Sequence, residues 1–240
     1  MLSFAKGHGT RNDFVLVTDA DDARPLTDDE VRFLADRRSG IGGDGVLRAV
    51  RARHIPEWDG DPDLWFMDYR NADGSVAEMC GNGVRVFARY LVEEGLVPAG
   101  TTTIDLGTRA GLRTAELLPD GRVRVWMGRP HTADAGTSIT LGDQNWGATS
   151  VDVGNPHAVV LLGDDEPLAS LDLTEAPVWT PRTNFPNGVN VEFVDDLGPG
   201  RVRMRVYERG VGETDSCGTG TVAVASAVAR AHGQQDGRWT

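Results

Sequence analysis

Two short phrases decide how this chain reads: Met79-Cys80-Gly81-Asn82-Gly83 and Ser216-Cys217-Gly218-Thr219-Gly220. They hold the only two cysteines among 240 residues, and each leads into an apolar run with helical spacing. A cysteine ahead of Gly-x-Gly at a helix start has a chemical use. The glycines let backbone amides approach a ligand, and the helix terminus favours the thiolate. Occurring twice, the phrase points to two matched reactive thiols.

The likeness extends beyond the cysteines. Asn71 stands nine residues before Cys80, and Glu208 nine before Cys217. Upstream, Asn12-Asp13-Phe14-Val15-Leu16-Val17 parallels Asn155-Pro156-His157-Ala158-Val159-Val160, an asparagine leading into an apolar strand in both cases. A near-constant offset, 143 residues at the asparagines and 137 at the cysteines, is what an ancient duplication leaves behind. Either copy alone reads equally as an ordinary Gly-x-Gly turn before a helix. The expected domains are residues 1–127, carrying Cys80, and 128–240, carrying Cys217, with Gly128 to Gly136 as the linker.

In the first half, Phe14 to Thr18 reads as a strand and Thr27-Asp28-Asp29-Glu30 as a capping box opening a helix with Val31 and Leu34 on its apolar face. Leu64 to Tyr69 reads as a strand ending in the turn Asn71-Ala72-Asp73-Gly74. From Asn82, the residues Val84, Phe87, Ala88 and Leu91 recur at helical spacing up to Gly95, and residues 102–126 read as a meander. In the second half, strands are expected at Ser150 to Val153, Ala158 to Leu162, Val189 to Val194 and Val202 to Tyr207. A helix follows from about Thr221 to Ala231. Glycine-rich Gly40 to Gly45 reads as a flexible turn, and Pro177 to Pro186 as loop.

Composition narrows the function. The net charge of −12, with acidic groups such as Asp19 to Asp22 and Asp164 to Glu166, disfavours nucleic acid as a partner. No apolar run approaches a spanning helix, and Met1-Leu2-Ser3-Phe4-Ala5-Lys6 lacks the apolar core of a signal peptide, so the expected location is the cytoplasm, away from membranes. Lys6 is the only lysine, which argues against a pyridoxal Schiff base, and no Gly-x-x-x-x-Gly-Lys phosphate loop is present. The five histidines and two cysteines have no metal-like spacing, so no metal is expected. A structural disulfide is the plainer alternative for the cysteines, disfavoured in a reducing cytosol.

Two thiols suit one kind of chemistry. Inverting an unactivated carbon acid needs a base on one face and an acid on the other, and a thiolate with a thiol supplies both, exchanging roles in reverse. Their ordinary pKa lies near enough to neutrality for neighbours to poise them as a coupled pair. Two helix N-termini converging on one carboxylate would stabilise the charge that builds as the α-proton leaves, substituting for a cofactor.

The chain resembles the diaminopimelate epimerase family, the pyridoxal-independent epimerases of lysine and cell-wall precursor synthesis. The resemblance rests on His8-Gly9-x-x-Asn12-Asp13-Phe14, Asn71-Ala72-Asp73-Gly74-Ser75, Cys80-Gly81-Asn82-Gly83, Gly154-Asn155-Pro156-His157, Tyr207-Glu208-Arg209-Gly210 and Cys217-Gly218-Thr219-Gly220, in the family's order. It implies an α/β fold of α+β character: two similar pseudo-symmetric domains, each a curled mixed sheet around a central helix, with the active site in the cleft between them. By the same likeness Cys80 and Cys217 are the acid/base pair, poised by His157 and Glu208. Gly81, Asn82, Gly218 and Thr219 hold the reacting carboxylate, while Asn12, Asn71, Asn155, Asn190, Glu208 and Arg209 hold the rest of a diaminopimelate molecule. No cofactor is implied, the partner is this small amino acid, and a homodimer is open as the assembly.

Taken singly, the asparagines also read as turn residues, His157 as a structural histidine, and Glu208 with Arg209 as an exposed pair at a strand end. The chain departs from the family at Arg11, where glycine is usual, and at Gly43-Asp44-Gly45, where a glutamine often touches substrate, so no site is carried there. It ends at Trp239-Thr240, where the family usually continues into further strands, and an exposed sheet edge is the expected consequence. The rival readings are a proline or hydroxyproline racemase of the same fold, a thiol hydrolase, and an inert protein with a structural disulfide.

Overall fold

The computed structural model describes residues 2–163 and 165–240, with Asp134 and Ala135 given by backbone alone. Met1 of the N-terminal segment and Asp164 of the second acidic group therefore lie outside the described residues. The chain divides into two units, Met1–Met127 and Gly128–Thr240.

The first unit is a seven-stranded mixed sheet whose strands neighbour one another in chain order. They are β1 (Ala5–Gly9), β2 (Asn12–Thr18), β3 (Gly45–Arg51), β4 (Trp65–Asn71), β5 (Thr103–Gly107), β6 (Arg113–Leu117) and β7 (Val123–Trp126). The parallel pairs β2/β3 and β4/β5 are joined by helical crossovers, α1 (Asp28–Ala35) and α2 (Gly81–Glu93). Helix α2 buries Val84, Phe87, Ala88 and Leu91 against Phe14, Leu16, Leu47 and Met67. It touches β1 and β2 at one end of the sheet and β6 and β7 at the other, so the sheet curls around it.

Helix α1 starts at the expected capping box. The Glu30 amide donates to the Thr27 hydroxyl and the Thr27 amide to the Glu30 carboxylate. The helix covers the opposite face of β2 and β3, where Val15, Val17 and Val46 meet Val31 and Leu34. Phe14-Val15-Leu16-Val17 is thus buried on both faces and reads as an unbroken apolar run.

The second unit repeats the plan. Strands β8 (His131–Leu141), β9 (Gln144–Asp152), β10 (Pro156–Leu161), β11 (Val178–Thr180), β12 (Asn190–Asp196), β13 (Val202–Glu208) and β14 (Gly212–Thr214) form a seven-stranded sheet ordered β11-β8-β9-β10-β12-β13-β14. Only β10/β12 is parallel, as β2/β3 is at the matching place. Helix α3 (Gly218–Ala231) packs on β9, β10 and β12, burying Ala223, Val224, Ala227 and Val228. Ile139, Trp146, Val160, Leu168 and Phe193 form a second cluster in this unit.

Three local expectations are corrected. Gly128 to Gly136 is not a free linker, because β8 begins at His131 and pairs with β9, as at Thr132↔Val151. Its glycine serves a register shift between Ala133 and Thr137, where Gly136 adopts a φ of 59°. Gly40 to Gly45 is hydrogen-bonded rather than a flexible turn. The amides of Ile41 and Gly42 donate to the Leu34 carbonyl, that of Gly43 to Ala35, and Gly45 already belongs to β3. Within Pro177 to Pro186, β11 adds an edge strand to β8 and a single helical turn follows at Arg182–Asn184.

Candidate active site

Each cysteine is the N-cap of the buried helix of its unit. Cys80 has an extended backbone, φ −140° and ψ 119°, and its Sγ accepts the Gly83 amide at 3.4 Å. Cys217 repeats this with φ −115°, ψ 116° and the Gly220 amide at 3.3 Å. The thiol takes the place that a serine or aspartate oxygen usually fills at a helix start, and so lies in the positive field of the free amides.

Around Cys80 the structure gathers Asn12 and Asn82. The thiol and the Asn82 amide nitrogen each donate to Asn12 Oδ1 at 3.4 Å, and Asn12 Nδ2 donates to Asp44 Oδ2 at 2.6 Å. Asp44 also accepts the Asp13 amide at 2.9 Å and pairs with Arg37 at 2.8 Å. Asn71, at the end of β4 opposite Gly45, donates to the Ser75 hydroxyl at 3.0 Å, while the neighbouring Ala72 amide donates to the Asp44 carbonyl. Sequence reasoning assigned nothing to Asp44, yet it fixes which way the Asn12 amide points. The available signal was an acid inside a glycine-rich turn directly before a buried strand.

Cys217 is more enclosed, 5% exposed, and its Sγ also meets the Thr219 hydroxyl at 3.3 Å. Burial, with the negative charges of Glu208 and Glu192, pushes this thiol well above the ordinary cysteine range. Glu208 ends β13 and accepts the Thr214 hydroxyl. Asn190 is buried with its amide used twice, donating to the Pro156 carbonyl at 3.2 Å and accepting the Arg209 amide at 2.9 Å. The aliphatic stem of the exposed Arg209 lies over Gly188, where a Cβ would come 2.8 Å from its Cδ, and its guanidinium donates to the Asn187 carbonyl at 3.4 Å.

His157 and Asn155 are joined through His157 Nε2 and Asn155 Oδ1 at 3.0 Å. The other ring nitrogen meets Glu192 Oε1 at 2.6 Å, with both side chains wholly buried. Glu192 was not singled out from sequence. Its signal was a carboxylate two residues after Asn190, on the same face of the strand and set between the apolar Val191 and Phe193. Among the described residues, no group of three or more His, Cys, Asp or Glu is placed to hold a metal ion, and no helix is long and apolar enough to cross a membrane.

A family model described as diaminopimelate epimerase matches residues 4–133 and 149–239. The chain belongs to the diaminopimelate epimerase family. Among its relatives, a diaminopimelate epimerase of Streptomyces coelicolor is 50% identical over 234 residues, 97% of this chain and 80% of the relative. One of Thermobifida fusca is 49% identical over 245 residues, 100% of this chain and 86% of the relative. Among solved structures, a hydroxyproline epimerase from Agrobacterium vitis with bound trans-4-hydroxy-L-proline superposes at a TM-score of 0.65 with 17% identity, covering 97% of this chain and 76% of that one. A probable proline racemase from Agrobacterium radiobacter with bound carbonate gives 0.64 and 18%, covering 98% and 79%. At such identities these two show a shared fold and nothing of its chemistry.

Proposed function

We propose that this chain interconverts LL- and meso-diaminopimelate without a cofactor, using Cys80 and Cys217 as base and acid at one α-carbon. The observation that carries this reading is the repeated setting of the thiols. In a member of the diaminopimelate epimerase family, each cysteine caps the helix its sheet wraps, with Sγ drawn to the amide three residues on. In the reaction, one thiolate takes the α-proton and becomes a thiol. The electron pair left on carbon delocalises into the α-carboxylate, and the other thiol gives its proton to the opposite face and becomes the thiolate. Burial keeps Cys217 in the thiol form that donates.

Amides at Gly81, Asn82, Gly218 and Thr219 take the reacting carboxylate, where helix N-termini favour negative charge. Asn12, Asn71, Asn155 and Glu208 take the other polar groups, and Arg209 pairs with the distal carboxylate, with Asn190 holding its backbone. The relatives near 50% identity favour diaminopimelate over a cyclic amino acid. Thiols that must stay reduced fit the cytosol, and a homodimer is the assembly to be checked by sedimentation.

The test is turnover of LL-diaminopimelate in deuterated water. The product should carry α-deuterium with no pyridoxal phosphate added, and Cys80→Ala or Cys217→Ala should each lower kcat by at least about a thousandfold, the scale of losing a proton-transfer group. Wild-type turnover in either variant, or activity on proline alone, would refute the proposal.

A further inference from the structure

The side chains of the His157–Glu192 pair are both wholly buried. Glu192 sits on β12 two residues beyond Asn190, the register partner of His157. Its second oxygen, Oε2, is buried without a hydrogen-bond partner, and its first lies where a Cβ on Gly220 would come within 2.6 Å. The carboxylate is therefore wedged beneath the first turn of α3, three residues after Cys217. A half-satisfied buried carboxylate costs stability that an apolar side chain would not.

The first unit shows what the fold does without that cost. Phe14 occupies the place of His157, two residues after the matching asparagine, and its register partner is Gly45. Two residues on stands Leu47, whose Cδ2 lies 3.6 Å from where a Cβ on Gly83 would be. Phe14 and Leu47 are fully buried, as are His157 and Glu192. The same architecture thus closes with an apolar pair in one unit and a polar pair in the other.

What the polar pair changes is the asparagine above it. A buried pair holding a single proton would carry a net charge in the core, whereas one holding two protons is neutral overall. The two-proton state places one proton between Nδ1 and Glu192 Oε1 and leaves Nε2–H to donate to Asn155 Oδ1. The oxygen of Asn155 is then turned inward, and its Nδ2 has no protein acceptor among the described residues. Asn12 is held the opposite way, with Nδ2 bound to Asp44 and Oδ1 toward Cys80.

We infer that Glu192 is a positioning residue for epimerisation: through His157 it fixes the Asn155 side chain so that the amide nitrogen is presented to substrate. This rests on the epimerase reading, with Asn155 a substrate ligand. Glu192→Gln removes the proton-holding carboxylate at constant shape, letting Nε2 lose its proton and the Asn155 amide turn over.

The experiment combines kinetics on the full-length protein with nitrogen-15 spectra of the histidine rings, the His157 signals being identified by their loss in His157→Phe. In the wild type both ring nitrogens of His157 should be of the protonated type, and in Glu192→Gln one should be bare. KM for diaminopimelate should rise about tenfold in Glu192→Gln with a smaller change in kcat, and should not rise further when Asn155→Ala is added, because groups acting through one contact are non-additive. A folded Glu192→Gln with wild-type KM, full additivity with Asn155→Ala, or a wild-type ring protonated on one nitrogen overturns the proposal. If Glu192→Gln does not fold, His157→Phe with Glu192→Leu, which copies the packing of Phe14 and Leu47, should fold and show the same rise in KM. Absence of wild-type turnover would refute the epimerase reading instead, and the ring spectra would still decide the relay.

Discussion

Gly220 shows how one atom can set the chemistry of a phrase. Replacing a helical glycine by alanine ordinarily stabilises by roughly 0.8–1 kcal/mol. Here the added Cβ would lie 2.6 Å from Glu192 Oε1 and 3.1 Å from Cys217 Cβ, both deep in the second unit. Gly220→Ala should therefore destabilise by about 1–3 kcal/mol, the usual range for overpacking a filled core. Gly83→Ala, whose nearest neighbours are at 3.3 and 3.6 Å, should cost less. Urea unfolding of the two variants makes the comparison, and an unchanged Gly220→Ala midpoint would show that the carboxylate gives way. At this scale the sequence displayed the thiols and their glycines but not what the glycines admit. Asp44 and Glu192 act by pointing at another side chain, and such direction has no signature in spacing.

At the scale of elements, those with a strong period or a clear cap were legible. The capping box of α1, the apolar face of α2 and the alternation of β13 all stand where residue patterns put them. Strand β3 was hidden because Gly45-Val46-Leu47-Arg48-Ala49-Val50 is covered on both faces and so shows no alternation. The charged residue inside this run, Arg48, looks like a surface position but is 7% exposed, pairing with Asp68 and Asp19 at 2.9 and 3.0 Å and with Asp22. Breaking a buried pair strands its partners, so Arg48→Leu should cost about 3–5 kcal/mol. Adding Asp68→Asn should recover part of that loss in the same unfolding measurement. Equal stability of Arg48→Leu and wild type would mean that water reaches the carboxylates. The short strand β11 escaped for a different reason, since three residues flanked by prolines carry too little pattern to separate from loop.

For the whole molecule, the duplication was legible because both units keep an asparagine-led strand, a parallel partner and a thiol-capped helix in one order. What has diverged is the electrostatics, and this bears on the pH range in which the chain stays folded. Arg37, by its hydrogen bond to the carboxylate, and then Lys6 hold the Asp13 carboxyl below the usual range. Its contribution is present above the unfolded value of about 3.9 and is lost as pH falls toward the folded value. Cys217 works in the other direction. Its folded pKa lies above the unfolded value of about 8.5, so its contribution is complete below that pH and is lost as pH rises, when the unfolded chain ionises and the folded one does not. The loss approaches about 1.4 kcal/mol per pH unit, the limit for one proton. Urea midpoints taken from pH 7 to 10.5 should fall more steeply for the wild type than for Cys217→Ala, with Cys80 common to both. Parallel curves would mean that Cys217 ionises in the folded state as readily as in the unfolded one, and the thiol would then not be the resting donor assigned to it.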